Sequence, residues 1–118
     1  MAGEAERVTA TIWHNPRCSK SREALRLLQE SGADVRVIEY LQTPPTVAEL
    51  RRLYARAGLS ARDGLRAGEP DAGHLLDADE ATILQAMVVS PHLIERPLIE
   101  TKKGVVLARP PERLRAIL

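Results

Sequence analysis

The sequence predicts an α/β fold in which a β-α-β unit is followed by a helical insertion, a β-hairpin and a C-terminal helix. Three observations carry this. The apolar, β-branched run Val8 to Trp13 precedes a helix-period run (Ala24, Leu25, Leu27, Leu28), and Val35 to Tyr40 then supplies a second β-branched run. Strand, helix and strand within about 35 residues is the length of a parallel β-α-β unit. Near the other end, Leu98-Ile99-Glu100 and Val105-Val106-Leu107 flank Thr101-Lys102-Lys103-Gly104, the pattern of a hairpin.

Residues 1 to 6 are acidic and polar, which reads as a frayed tail and excludes a signal peptide. The first strand, Val8 to Trp13, enters the loop His14-Asn15-Pro16-Arg17-Cys18, and the helix after it runs to about Glu30, where Ser31-Gly32 stops it. Gln42-Thr43-Pro44-Pro45 breaks the pattern. Thr46-Val47-Ala48-Glu49 resembles a capping box, with Thr46 as N-cap, and opens a helix carrying Leu50, Leu53, Tyr54 and Ala57 before Gly58. Ser60 caps a short turn holding Ala61 and Leu65. Gly64 to Gly73 turns to Gly, Pro and Asp and reads as a surface loop leading to His74-Leu75-Leu76. Asp79 caps a helix using Ile83, Leu84, Met87 and Val88, ended by Ser90-Pro91. Pro110-Pro111-Glu112 starts a last helix with Leu114, Ile117 and Leu118 apolar. This order is that of a thioredoxin-like (glutaredoxin-like) fold: one domain over residues 1–118, with the helical insertion at about 46–95.

The 118 residues suit one core. Aromatics are only 3% with no Phe, so aliphatic side chains and Ala must fill it. Seventeen basic against sixteen acidic residues give a net charge of +1, which argues against generic nucleic-acid or anionic-membrane binding. No apolar run approaches the roughly 20 residues of a membrane span. One cysteine excludes an internal disulfide and suits a reducing cytoplasm. A monomer is expected.

That cysteine, Cys18, stands at a strand-to-helix turn. Unpaired N–H groups and the helix dipole there favour a thiolate or a bound oxyanion, and Arg17, Lys20 and Arg22 add positive charge nearby. Such settings lower a thiol from a pKa of about 8.5 to between about 3.5 and 7.5. A lone cysteine is most often a small buried hydrophobe. Cys18, however, has polar and basic neighbours, and the turn residues Asn15 and Pro16 precede it, as in an exposed loop. Fourteen of the seventeen basic residues are Arg, and Arg26, Arg51, Arg52, Arg56 and Arg113 read as solvated charges on helix faces. Arg96 and Arg109 differ because each precedes a proline at the edge of the hairpin, where a planar guanidinium can meet a tetrahedral oxyanion. His14 reads as structural or electrostatic, and His74 and His92 as surface or helix-end residues. One Cys and scattered His give no zinc-ligand spacing, so no metal is expected.

Five motifs occur in order: His14-Asn15-Pro16-x-Cys18, Tyr40-Leu41-x-Thr43-Pro44-Pro45, Gly58-Leu59-Ser60, Arg96-Pro97 and Arg109-Pro110-Pro111. In them the chain, from about Thr9 to Leu118, resembles the short branch of the ArsC-like, glutaredoxin-linked arsenate reductases. The resemblance implies a thioredoxin fold with a helical insertion, and Cys18 as nucleophile toward arsenate or a similar oxyanion. It implies Arg66, Arg96 and Arg109 as the catalytic and substrate-binding arginines, with His14 and Ser21 supporting the thiolate. It further implies no bound cofactor, with glutathione as a co-substrate and glutaredoxin as a partner. In thioredoxin folds a cis-proline precedes the strand facing the active cysteine, so the Arg96-Pro97 bond is expected to be cis, with Arg96 directed at the Cys18 loop. Two departures stand out. Ser19-Lys20 follows the cysteine where longer reductases carry small residues, and the chain stops at Leu118 where they run on. Two alternatives remain: another glutathione-linked thiol oxidoreductase, or an Spx-like regulatory module binding RNA polymerase. Such regulators carry Cys-x-x-Cys, and here the second position is Ser21.

Overall fold

A computed structural model describes residues 7–118; the expected N-terminal tail lies outside the described residues. The chain packs as two compact units, one formed by the residues up to Glu39 together with Arg96–Leu118, the other by Tyr40–Glu95.

The first unit holds β1 (Thr9–His14), helix α1 (Ser19–Glu30), β2 (Asp34–Glu39), β3 (Leu98–Thr101) and β4 (Gly104–Leu107). The sheet order is β2-β1-β3-β4, with β1 parallel to β2 and β3 antiparallel to both β1 and β4. This is the thioredoxin-like arrangement that the element order predicts. Ala10 and Ile12 alternate with Thr9 and Thr11 along β1, so one sheet face meets Ala24 and Leu28 of α1 in a core shared with Ile99, Ala108, Leu114 and Ile117. Helix α1 stops at Ser31-Gly32, where Gly32 takes the left-handed φ of 82° that ends helices without a Cβ penalty. Arg26 pairs with Glu23 and Glu30 on its exposed face.

The predicted last helix is instead a 3-10 helix, Pro111–Ile117. Its buried residues Pro111, Leu114 and Ile117 recur every three positions, which a three-residue turn places on one face. Seven residues are also too few to sustain an α-helix by propensity. Thr101 Oγ1 donates to the Ile117 carbonyl and ties this segment to the hairpin.

The second unit holds α2 (Val47–Ala57) and α3 (Glu80–Val89). Both predicted caps form: Thr46 Oγ1 accepts the Glu49 N–H at 3.0 Å, and Asp79 Oδ1 accepts the Thr82 N–H at 2.8 Å. Ser60 Oγ accepts the Asp63 N–H at 3.1 Å in the predicted short turn. The loop expected from Gly64 to Gly73 contains a 3-10 helix, Pro70–Leu75, anchored by buried Ala72 and Leu75. Its Pro, Asp and Gly residues suit a tight turn as well as a loop, and the burial of two small apolar groups selects the turn. Leu65 pairs antiparallel with Ile94, with Arg66 N–H donating to Leu93 O and Glu95 N–H to Gly64 O. Among the described residues no helix is long and apolar enough to cross a membrane.

Candidate active site

The row Trp13, Leu98, Leu107 crosses β1, β3 and β4 at one end of the sheet. Three segments leave the sheet there: the loop after β1, the residues before β3 and those after β4. Register alone therefore gathers the Cys18 loop, Arg96 and Arg109 at one edge. The Ala108 N–H donates to Pro97 O at 2.9 Å, extending the hairpin to both arginine-proline pairs. The Arg96-Pro97 bond is cis, as expected, and the Arg109-Pro110 bond is cis as well.

Cys18 is the N-cap of α1, with extended backbone (φ −95°, ψ 122°). Its N–H donates to Asn15 O and its carbonyl accepts from the Arg22 N–H, each at 3.0 Å. The loop is shaped by its own polar groups. The Arg17 N–H donates to Asn15 Oδ1 at 3.0 Å, and Arg22 Nη1 reaches back to Pro16 O at 3.0 Å. Pro16, Arg17, Ser19 and Lys20 are exposed, but Cys18 itself is only 9% exposed. The loop is thus at the surface, as expected, and the sulfur is tucked beneath it.

Burial pushes the Cys18 thiol up. The Ser21 N–H, the Arg96 charge, the Lys20 N–H and a hydrogen bond from Arg96 outweigh that burial, and the pKa falls below the ordinary value. The neutral thiol forms no cap hydrogen bond; the two N–H groups act on the charge that a thiolate would carry. The positive side chain acting on the sulfur is Arg96, which the sequence directs at this loop; Arg17, Lys20 and Arg22, whose charge the sequence also places nearby, do not act on it through their side chains. Lys20 contributes through its backbone, and Arg22 is turned toward Pro16.

His14 ends β1, buried, with Nδ1 2.7 Å from Ser21 Oγ. Ser21 Oγ also accepts the Asn15 N–H at 3.0 Å, which leaves its hydroxyl hydrogen for the imidazole. Burial lowers the His14 pKa, Glu39 opposes that, and Arg22 adds to it. The net lowering favours a neutral ring, which can accept the Ser21 hydroxyl at Nδ1. Glu39 stands opposite His14 in the parallel β1–β2 register.

Arg109 Nη1 donates to Arg96 O at 3.1 Å, so one arginine side chain braces the backbone of the other. The first unit therefore brings together His14, Cys18, Ser21, Arg96 and Arg109. Arg66 belongs to the second unit, where its guanidinium meets Glu69 at 3.3 Å. One neighbour, Glu39, and one contact, the Arg22 bond to Pro16, were not anticipated from the sequence. Glu39 comes to His14 only through strand register, and the Arg22 bond to Pro16 has no local sequence signature. Among the described residues no three His, Cys, Asp or Glu side chains cluster as metal ligands.

The profile of the ArsC family matches residues 13–117. The chain is 44% identical to the Escherichia coli K12 protein YfgD, over 91% of this chain and 94% of that one. It is 38% identical to an arsenate reductase of Neisseria meningitidis serogroup A, over 91% of this chain and 96% of the relative. Among solved structures, an arsenate reductase from Vibrio cholerae superposes with a TM-score of 0.90 at 39% identity, covering 96% of this chain and all of that chain. Identity at this level over nearly full length, together with the matched fold, makes the chain a member of the ArsC family.

Proposed function

We propose that this protein is an arsenate reductase that draws its electrons from glutathione and glutaredoxin. The observation carrying the proposal is the Cys18 sulfur, held at the N-terminus of α1 against Arg96 with its pKa lowered. Relatives 38–41% identical over most of the chain are named arsenate reductase.

The thiolate attacks arsenic; a sulfur–arsenic bond forms and one oxygen, protonated, leaves as water. A glutathione thiol displaces a second oxygen, again as water. The glutaredoxin thiolate then attacks the glutathione sulfur. That breaks the arsenic–glutathione bond, leaves its electron pair on arsenic and reduces As(V) to As(III). Water releases arsenite and restores the Cys18 thiol. Arg96 and Arg109 neutralise the oxyanion as charge builds on its oxygens; a part for Arg66 rests on the family resemblance alone. His14 and Ser21 hold the cysteine loop. The chain has one thiol and this route returns it unoxidised; both electrons come from outside, from the glutathione and glutaredoxin thiols, which end as a mixed disulfide. Glutathione chemistry of this kind belongs in a reducing cytoplasm.

The test is a coupled assay of arsenate with glutathione, glutaredoxin, glutathione reductase and NADPH, comparing the native chain with Cys18→Ser. Turnover should depend on all components and vanish in the variant. Turnover that survives Cys18→Ser, or robust turnover with thioredoxin and no glutathione, would overturn the proposal. The regulatory alternative has less support, because the position of a sensor's second cysteine holds Ser21, engaged with His14 and Asn15.

A further inference from the structure

Residues 67–95 contain six carboxylates and no lysine or arginine, so in sequence they carry −6 while the rest of the chain carries +7; in space Arg66 offsets Glu69, and Arg62 binds the Leu76 and Ala78 carbonyls on either side of Asp77. Within this acidic stretch, α3 is apolar around most of its circumference: Ala81, Ile83, Leu84, Ala86, Met87, Val88 and Val89. A helix on the surface of a domain needs one apolar stripe, and here that stripe is Ile83, Leu84 and Met87, all buried. The other side, with Ala81, Ala86 and Val89, lines an open groove of about 620 Å³ whose further lining includes His74, Leu75 and Leu93. Val89 is 73% exposed. Asp71 also lines the groove and pairs with His92 at 3.0 Å, and exposed Asp77 stands in the turn before α3. Asp79 and Glu80 have structural work already, the first capping α3 and the second accepting the Ala61 N–H.

We propose that this groove docks a basic amphipathic helix of a partner protein. Its apolar stripe would cover Val89 and Ala86, and flanking Lys or Arg would face Asp71 and Asp77. Charge complementarity selects a basic occupant. A second copy of this chain is a poor candidate, because its Arg-bearing helices have already spent their apolar faces. Ala24 and Leu28 of α1 are buried, as are Leu50, Leu53 and Tyr54 of α2, the helix that bears Arg51, Arg52 and Arg56.

The test uses the full chain and a labelled model peptide of about four helical turns, with Leu at i, i+3, i+4 and i+7 and Lys flanking that stripe. Fluorescence anisotropy should give saturable binding that weakens toward about 0.5 M salt. Binding should weaken roughly tenfold in Val89→Glu and several-fold in Asp71→Asn/Asp77→Asn. Amide shift changes in ¹⁵N-labelled protein should centre on residues 74–93. Val89 is exposed, so its substitution leaves the fold intact, which an unchanged circular dichroism melt verifies. Absence of saturation, equal binding of a Glu-for-Lys peptide, equal binding by Val89→Glu, or shifts centred elsewhere would overturn the assignment. So would a concentration-dependent dimer in sedimentation velocity that Val89→Glu abolishes, because the groove would then belong to a second copy.

Discussion

Replacing Gly64 with Ala tests the packing beneath the segment that carries Arg66. A Cβ built on Gly64 would lie 2.4 Å from Tyr54 Cζ and Oη and 2.5 Å from Cε1, well inside van der Waals contact. The obstacle is a rigid ring, 1% exposed, whose hydroxyl points to Met87 Sδ at 3.7 Å. It cannot swing into solvent, so the backbone or the core must shift. Overpacking of this kind costs about 1–3 kcal/mol. For a domain of this size that is a fall in Tm of roughly 3–15 °C. The φ of Gly64 lies outside the left-handed range, so the penalty is steric and should vanish when the ring is removed. In a Tyr54→Leu background, Gly64→Ala should cost less than about 0.5 kcal/mol, and the double-mutant cycle should show coupling of about 1 kcal/mol or more. Urea unfolding of the four proteins measures it. Gly64→Ala within about 0.5 kcal/mol of wild type, or an equal penalty in both backgrounds, would refute the reasoning.

Three further outcomes are expected at the thiol. Cys18 should be alkylated by iodoacetamide at pH 6 far faster than an unperturbed cysteine, and arsenate or phosphate should slow the reaction; a midpoint near pH 8.5 would leave an ordinary thiol. Arg96→Lys keeps the charge and loses the planar fork, so anion protection of Cys18 should weaken several-fold with the melt unchanged; undiminished protection would remove Arg96 from the oxyanion site. His14 has a lowered pKa in the fold, so the unfolded chain takes up its proton first. Its contribution to stability is complete above the unfolded pKa of about 6.5 and is lost as pH falls through the lower folded value. Between pH 7 and 5 wild-type stability should therefore fall more steeply than that of His14→Asn, by at most about 1.4 kcal/mol per pH unit; parallel slopes would contradict a buried neutral imidazole.

What the sequence disclosed was local. The strands, both helix caps and the left-handed stop at Gly58 (φ 71°) are each written in a few adjacent residues. Cys18 as N-cap follows from the same strand-to-helix junction. The misreadings arise where burial chose between neighbouring local forms. Pro70–Leu75 and Pro111–Ile117 both wind as 3-10 helices around apolar side chains that composition alone assigned to a loop and to an α-helix. The long-range contacts were hidden for a different reason. Glu39 meets His14 because the parallel register pairs them across 25 positions, and no short-range pattern encodes a register.

Ser21 joins the two halves of the site. Its N–H faces the Cys18 sulfur, while its hydroxyl bridges the Asn15 N–H and His14 Nδ1. A cysteine there would keep the N–H but exchange a strong hydrogen-bonding oxygen for a weakly bonding sulfur, and the Asn15 loop and the buried imidazole would lose their shared partner. It would also place a second thiol one helical turn from the first, close enough in sequence for an internal redox pair. The residue that orders the loop is therefore also the residue whose identity leaves Cys18 with no thiol of its own chain to turn to. On the proposed chemistry, loop rigidity and dependence on an outside thiol come from one side chain.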